Sequence, residues 1–235
     1  MDNNRECVIL AGGLGTRLRG VIRDVPKPMA PVNGKPFLYY VLRWLVNYRA
    51  DKIVISGGYK SESITEYFGN TFSGIPIIYA IEEKPLGTGG AVKFAIRETT
   101  GTNILILNGD TYFPVNIDRL WQTHTDNNFR FTIALKRMYR FSRYGSVKLE
   151  GDTITKFNEK QYCEEGLING GIYLINRYFI QSLEMPEVFS LEKDVLLKKS
   201  AEGVLKGIEF EDAFIDIGIP EDYTRAKSLL KDIDF

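Results

Sequence analysis

Cys7-Val8-Ile9-Leu10-Ala11-Gly12-Gly13-Leu14-Gly15-Thr16-Arg17 is the stretch that decides how this chain is read. The run Cys7 to Ala11 has the length and apolar content of a buried strand, and glycines follow it at once. Without Cβ atoms in the way, successive backbone N–H groups can close on an anion there. In an open α/β sheet, ligands collect at the carboxyl ends of strands, which is where this loop falls. Two common phosphate motifs do not fit. The ATPase loop ends in Gly-Lys-Ser/Thr, whereas Gly15 is followed by Thr16-Arg17, and the dinucleotide fingerprint asks for a third glycine where Leu18 stands.

Outward from this stretch the pattern repeats. Lys52 to Ser56, Pro76 to Ile81 and Asn103 to Leu107 are further short apolar runs bounded by Gly, Asp or Pro. Between them Phe37 to Tyr48, Ser61 to Phe68 and Gly90 to Arg97 have helical spacing. Leu38, Val41, Leu42, Leu45 and Val46 fall on one helix face. Farther on, Gly145 to Leu149 and Thr153 to Phe157 flank the turn Glu150-Gly151-Asp152 as a β-hairpin. Asn169 to Ile175 reads as a strand, and helices are predicted near Tyr178 to Leu183 and Ser190 to Ser200. A last strand over Ala213 to Ile217 precedes a helix opened by Pro220. The fold class predicted is α/β: a Rossmann-like three-layer α/β/α sandwich around a mixed, mainly parallel central sheet. No linker or repeat divides the 235 residues, so one domain over 1–235 is expected.

Composition narrows the partners. Thirty basic and thirty acidic residues cancel, which argues against nucleic acid as a ligand. Cys7 and Cys163 lie far apart in no metal-ligand spacing, and Cys7 reads as a buried structural thiol. The polar start Met1 to Glu6 and the five-residue run after it predict no signal peptide. No stretch approaches the roughly 18 apolar residues of a membrane span, and a cytoplasmic protein without a membrane partner is expected. His124, the only histidine, follows Trp121-Gln122-Thr123 at a polar helix end, where a surface role is expected.

The charged residues suggest chemistry. Arg17 and Lys27 flank the glycine loop, and a planar guanidinium with a point-charge ammonium suits a polyphosphate. Lys27 stands between Pro26 and Pro28, which fix the local backbone. Asp110 and Asp216 end two predicted strands. Taken singly each reads as a turn former, but strand-end carboxylates can converge, and a hard ion such as Mg²⁺ prefers such oxygen ligands together with substrate phosphates.

Gly12-Gly13-Leu14-Gly15-Thr16-Arg17 followed by Pro26-Lys27-Pro28-Met29 resembles the signature of the sugar-phosphate nucleotidyltransferases, and the resemblance runs almost to Leu230. That family transfers a nucleoside monophosphate to a sugar 1-phosphate and releases pyrophosphate. The resemblance implies a nucleotide-binding part about 1–115 and a sugar-binding part about 116–235. It implies nucleotide contacts from Leu10, Ala11, Gly12, Gly13, Gly15, Thr16, Arg17, Glu82, Gly87, Thr88, Asn108 and Gly109. Asp110 and Asp216 would hold Mg²⁺, with Arg17, Lys27, Asp110 and Lys160 as the catalytic residues. Tyr144, Gly145, Glu159, Lys160, Asn169 and Gly170 would meet the sugar phosphate. Glu82 stands where thymidylyl- and uridylyl-transferring relatives often have Gln. One carboxylate can accept both the N1–H and the exocyclic amino group of guanine, so GTP is the nucleotide expected.

Within the family, Ile168-Asn169-Gly170-Gly171-Ile172-Tyr173-Leu174 and Phe214 to Tyr223 are most similar to the branch that guanylylates D-glycero-D-manno-heptose 1-phosphate. This implies GDP-heptose for surface glycans. No C-terminal β-helix domain is expected, and a homodimer is the commonest assembly. The readings left open are a mannose-1-phosphate guanylyltransferase, an N-acetylhexosamine- or MurNAc-phosphate uridylyltransferase, and a non-catalytic regulatory relative. A Rossmann oxidoreductase is disfavoured by Leu18.

Overall fold

Alternation within the apolar runs sorts side chains to two faces of one sheet. The computed structural model describes residues 4–13, 25–231 and 233. The first half carries β1 (Glu6–Leu10), a 3-10 turn (Lys27–Met29), β2 (Pro31–Val32), β3 (Lys35–Pro36), α1 (Phe37–Asn47), β4 (Lys52–Gly57) and α2 (Glu62–Phe68). It continues through β5 (Thr71–Phe72), β6 (Ile75–Ile81), α3 (Gly87–Ala95), β7 (Asn103–Asn108), β8 (Thr111–Tyr112) and α4 (Ile117–Asp126). The second half carries β9 (Phe131–Phe141), β10 (Gly145–Glu150), β11 (Thr153–Lys160), β12 (Cys163–Asn176) and α5 (Arg177–Gln181). A π-helical turn (Leu191–Leu196) then runs into α6 (Leu197–Lys199), β13 (Leu205–Phe210), β14 (Ile215–Asp216) and α7 (Pro220–Leu229).

Ten strands form the main sheet in the order β10-β11-β13-β9-β12-β7-β1-β4-β6-β5. β7, β1, β4 and β6 are mutually parallel, so their carboxyl ends share one edge. β12 joins antiparallel to both β7 and β9, and β13 returns parallel to β9. Cys7 and Ile9 of β1, with Ile53 and Ile55 of β4, pack beneath α1, α2 and α7. Val8 and Val54 point the other way, against Val92 of α3, Ile180 of α5 and Val195 of the π-helical turn. Period-two alternation under helical cover on both faces gives the three-layer Rossmann-like sandwich with a mixed sheet.

β9 and β13 are not among the strands predicted above. β9 opens with the buried run Phe131 to Leu135, then carries Lys136, Arg137 and Arg140, charges that mask a strand signal. In the sheet Arg137 is bracketed by carboxylates from both neighbouring strands, Glu165 at 2.7 Å and Glu209 at 2.6 Å.

The surface role expected for His124 is wrong. Ile117, Leu120 and His124 form the inner stripe of α4, and the imidazole is only 1% exposed. Nδ1 lies 2.7 Å from the Thr132 hydroxyl and Nε2 lies 3.2 Å from Asn103 Oδ1. Burial lowers its pKa to about 4, so it is a neutral core histidine linking α4 to β9 and β7.

Candidate active site

The shared carboxyl edge of the parallel strands frames a cavity of ≈ 300 Å³. Leu10 of β1 with Ala11, Gly12 and Gly13 after it, Ser56 of β4, Glu82 after β6, and Asn108 of β7 with Asp110 beyond it line it, with Lys27, Gly87 and Thr88. The close approach of strand ends there depends on glycine. Gly109 donates its N–H to the Leu10 carbonyl at 2.9 Å, and a Cβ on it would sit 2.9 Å from that same oxygen. A larger cavity (≈ 1060 Å³) beside Arg5, Trp121, His124 and Tyr178 lies at the opposite, amino-terminal end of β1 and β7.

Glu82 is not a solvated loop residue. Its Oε1 lies against the backbone of two glycines, where a Cβ would come within 2.9 Å at Gly12 and 2.8 Å at Gly58. Its Oε2 accepts the Leu86 N–H at 3.1 Å. Burial raises the carboxyl pKa, and the Leu86 N–H opposes that shift. The result is a partly desolvated acceptor at the cavity wall.

Asp110 and Asp216 converge through a ladder only two residues long. β14 pairs antiparallel with β8, setting Asp216 opposite Thr111 and Ile215 opposite Tyr112. The Ile217 N–H then donates to the Asp110 carbonyl at 3.1 Å. Lys27 projects from the proline-bounded 3-10 turn, its side chain 12% exposed. Its Nζ bonds Asp110 Oδ2 closely and reaches Asp216 Oδ1 at 3.5 Å. Burial and the neighbouring Asp110 charge push the Asp216 pKa up, against Lys27 and Arg143. Among the described residues no three His, Cys, Asp or Glu side chains are grouped for a metal. Two hard carboxylates on one ammonium nevertheless form a donor set that fits a divalent cation sharing its remaining positions with phosphates and water.

The predicted sugar-side residues lie on the second half of the sheet. β12 slips register against β9 between Asn169, which still pairs with Leu135, and Tyr173, so the bulge begins directly after Asn169. Asn169 Oδ1 accepts the Gly171 N–H and its Nδ2 donates to the Tyr173 hydroxyl, both at 2.9 Å. Gly171 needs its positive φ of 74°, and a Cβ on Gly170 would be 2.6 Å from the Phe113 ring. Gly145 is paired with Lys160 across β10 and β11, and the Tyr144 hydroxyl lies 3.4 Å from Asp216 Oδ2. Glu159 and Lys160 are exposed at the end of β11.

Gly15, Thr16 and Arg17 lie outside the described residues. Four neighbours of the site were missed in the sequence: Ser56, Gly58, Glu192 and Arg143. Ser56 and Gly58 close or follow a strand already predicted, so their place at its carboxyl end was available as a signal. Glu192 comes from the π-helical turn and accepts the Thr88 hydroxyl at 2.6 Å. Arg143 reaches Asp222 and Asp216 on a distant part of the chain. No local pattern marks either of these two.

Comparison with known proteins points to one family. The family model described as nucleotidyl transferase matches residues 6–233. A D-glycero-alpha-D-manno-heptose 1-phosphate guanylyltransferase of Aneurinibacillus thermoaerophilus is 45% identical over 226 residues, covering 96% of this chain and 98% of that protein. The protein of the same name from Campylobacter jejuni is 42% identical, over 93% of this chain and 96% of its own length. The crystal structure of HddC from Yersinia pseudotuberculosis, complexed with GMP-PN, is 34% identical. It matches with a TM-score of 0.86 over 96% of this chain and 99% of that one. A family match along nearly the whole chain, on a fold whose strand ends gather these glycines, carboxylates and Lys27, places this chain in the nucleotidyl transferase family.

Proposed function

We propose that this protein transfers GMP from GTP to D-glycero-α-D-manno-heptose 1-phosphate, giving GDP-heptose and pyrophosphate. The observation that carries the reading is the convergence of Glu82, Lys27, Asp110 and Asp216 on one strand-end edge. The names of the relatives at 45% and 42% identity support the heptose and the guanine nucleotide. The reaction is taken to be cytoplasmic, where GTP is available. No helix among the described residues is long and apolar enough to cross a membrane.

In this reading Gly12, Gly13, Gly15, Thr16 and Arg17 hold the triphosphate, and Glu82 accepts the two guanine donors. Leu10, Ala11, Gly87, Thr88, Asn108 and Gly109 line the nucleotide site. Asp110 and Asp216 are the ligands for Mg²⁺, which when bound supplies positive charge to the phosphates. An anionic oxygen of the sugar phosphate attacks the α-phosphorus in line, a new P–O bond forms, and the bond to the β-phosphate oxygen breaks. The attacking oxygen is already deprotonated near neutral pH, so no general base is required. Lys27 and Arg17 stabilise the developing charge, which is where positioned cations act most strongly. Lys160 orients the attacking phosphate, while Tyr144, Gly145, Glu159, Asn169 and Gly170 line the sugar site.

Pyrophosphate release from GTP, UTP, dTTP, CTP and ATP against a panel of sugar 1-phosphates, with and without Mg²⁺, tests the reading. Turnover is expected with GTP and the heptose phosphate in the presence of Mg²⁺. Lys27→Ala and Asp110→Ala should each lose at least about 100-fold in kcat, in line with removal of one transition-state charge contact, while circular dichroism stays unchanged. Near-wild-type turnover in either variant would sink the assignment, and turnover of mannose 1-phosphate or of UTP alone would move it to another branch.

A further inference from the structure

Arg143, in the turn between β9 and β10, has no role in the mechanism above. Its NH1 is bonded to Asp222 Oδ2, and its NH2 lies 3.9 Å from Asp216 Oδ2. The guanidinium carbon sits 5.4 Å from the centre of the Tyr144 ring. That ring is itself braced edge-on by Phe214 at 5.9 Å. Asp222 is in the first turn of α7, with its side chain 12% exposed, and it also accepts from Arg225 at 3.1 Å. One edge of the Arg143 fork is therefore tied down by a buried carboxylate. The rest faces the Asp216 side of the site, and the side chain keeps 31% exposure.

A guanidinium held in this way is poorly suited to a merely structural part. Asp222 already has Arg225 as a partner, and Asp216 already has Lys27. Arg143 thus brings a second cation to each carboxylate, with donors left to offer. A planar fork with spare N–H groups matches the non-bridging oxygens of a phosphate monoester. It stands two residues from Gly145, which is paired with Lys160 across the strands.

We propose that Arg143 binds the phosphate of the incoming sugar 1-phosphate, and that Asp222 is the positioning residue that aims it. The proposal rests on the nucleotidyl-transfer reading of the site. It adds a second phosphate ligand beside Lys160, supplied by the turn that also carries Tyr144. The Asp222 link makes the start of α7 part of the sugar-phosphate site, although α7 itself lines neither the nucleotide cavity nor the bulge after Asn169.

The test is steady-state kinetics with GTP and D-glycero-α-D-manno-heptose 1-phosphate, joined to calorimetric titration of that sugar phosphate into protein holding a non-hydrolysable GTP analogue. Arg143→Gln should raise KM and Kd for the sugar phosphate about 10- to 100-fold, the loss expected for a charged hydrogen bond. Affinity for the GTP analogue alone should stay within about twofold, the change expected when no direct contact is lost. Arg143→Lys should recover part of the affinity. Asp222→Asn should raise the same constants by about 3- to 10-fold through misaim alone. Unchanged KM and Kd in both Arg143 variants overturn the proposal. So does a fall in kcat and in Mn²⁺ affinity with KM unmoved, which would assign Arg143 to the carboxylates. If the wild type binds the sugar phosphate without turning it over, the broader reading fails while the calorimetry still decides Arg143. A wild type that binds none overturns both.

Discussion

In the proposed reading Glu82 must be buried enough to discriminate and charged enough to accept two hydrogen bonds from guanine. Its carboxylate fits against the wall because residues 12 and 58 carry no Cβ, and one oxygen is already aimed by the Leu86 N–H. Replacing it by Gln keeps the shape but changes one acceptor into a donor. Glu82→Gln is therefore expected to lower kcat/KM for GTP by about 10- to 100-fold, the scale of a lost charged hydrogen bond. The same variant should raise turnover of UTP or dTTP, whose donor between two acceptors suits an amide. Parallel kcat/KM measurements with the three nucleotides check this, and an unchanged preference for GTP would remove Glu82 from base recognition. At this scale much was readable beforehand. Lys27 is marked by its flanking prolines, and Asp110 and Glu82 by their positions at strand ends. Arg143 was not readable, because its partners Asp216 and Asp222 approach it only in the folded chain.

The amino-terminal turn of α3 shows how one element makes room for another. Gly87 has φ +72°, and a Cβ there would meet the Phe189 carbonyl oxygen at 2.5 Å. A Cβ on Gly90 would lie 2.5 Å from the Glu187 carbonyl, and Gly89 donates its N–H to the Phe189 carbonyl at 3.0 Å. The segment before the π-helical turn is thus seated directly on the glycines, and it delivers Glu192 to Thr88. Gly87→Ala should destabilise by about 2 to 4 kcal/mol, combining left-handed strain with a backbone clash. It should also raise the KM for GTP as the segment is pushed away. Gly151→Ala is the control: its φ is +60° but nothing lies within 4 Å, so about 1 kcal/mol is expected from strain alone. Urea unfolding of both variants measures the difference, and equal losses would mean that the contact with Phe189 carries no weight. The helix was predicted to begin at Gly90, whereas it begins at Gly87. What stabilises those three extra residues is a segment a hundred positions away in sequence, invisible to local spacing.

Across the whole molecule, His124 couples global stability to pH. Above about pH 6.5 the imidazole is neutral whether the chain is folded or unfolded. As pH falls below that value, the unfolded chain binds a proton that the folded protein refuses until about pH 4. Stability should therefore drop across this window, by up to roughly 3 kcal/mol from this residue. His124→Gln should flatten the corresponding part of the profile of urea midpoints between pH 7 and pH 4, and an unaltered slope would place the titration elsewhere. By itself the sequence determined the layered α/β class and the parallel strands of the first half. Hydrophobic periodicity and glycine punctuation are local, and they act before any long-range contact forms. It also determined the glycine loop, Lys27 and the strand-end aspartates as residues worth attention. Only tertiary structure decided that β9 is a strand despite its cations, since Glu165 and Glu209 reach Arg137 from neighbouring strands. It alone buried His124 and closed β14 on β8, so that Asp216 meets Asp110. Each of these depends on pairing segments far apart in the chain, and such pairing has no signature within a window of a dozen residues.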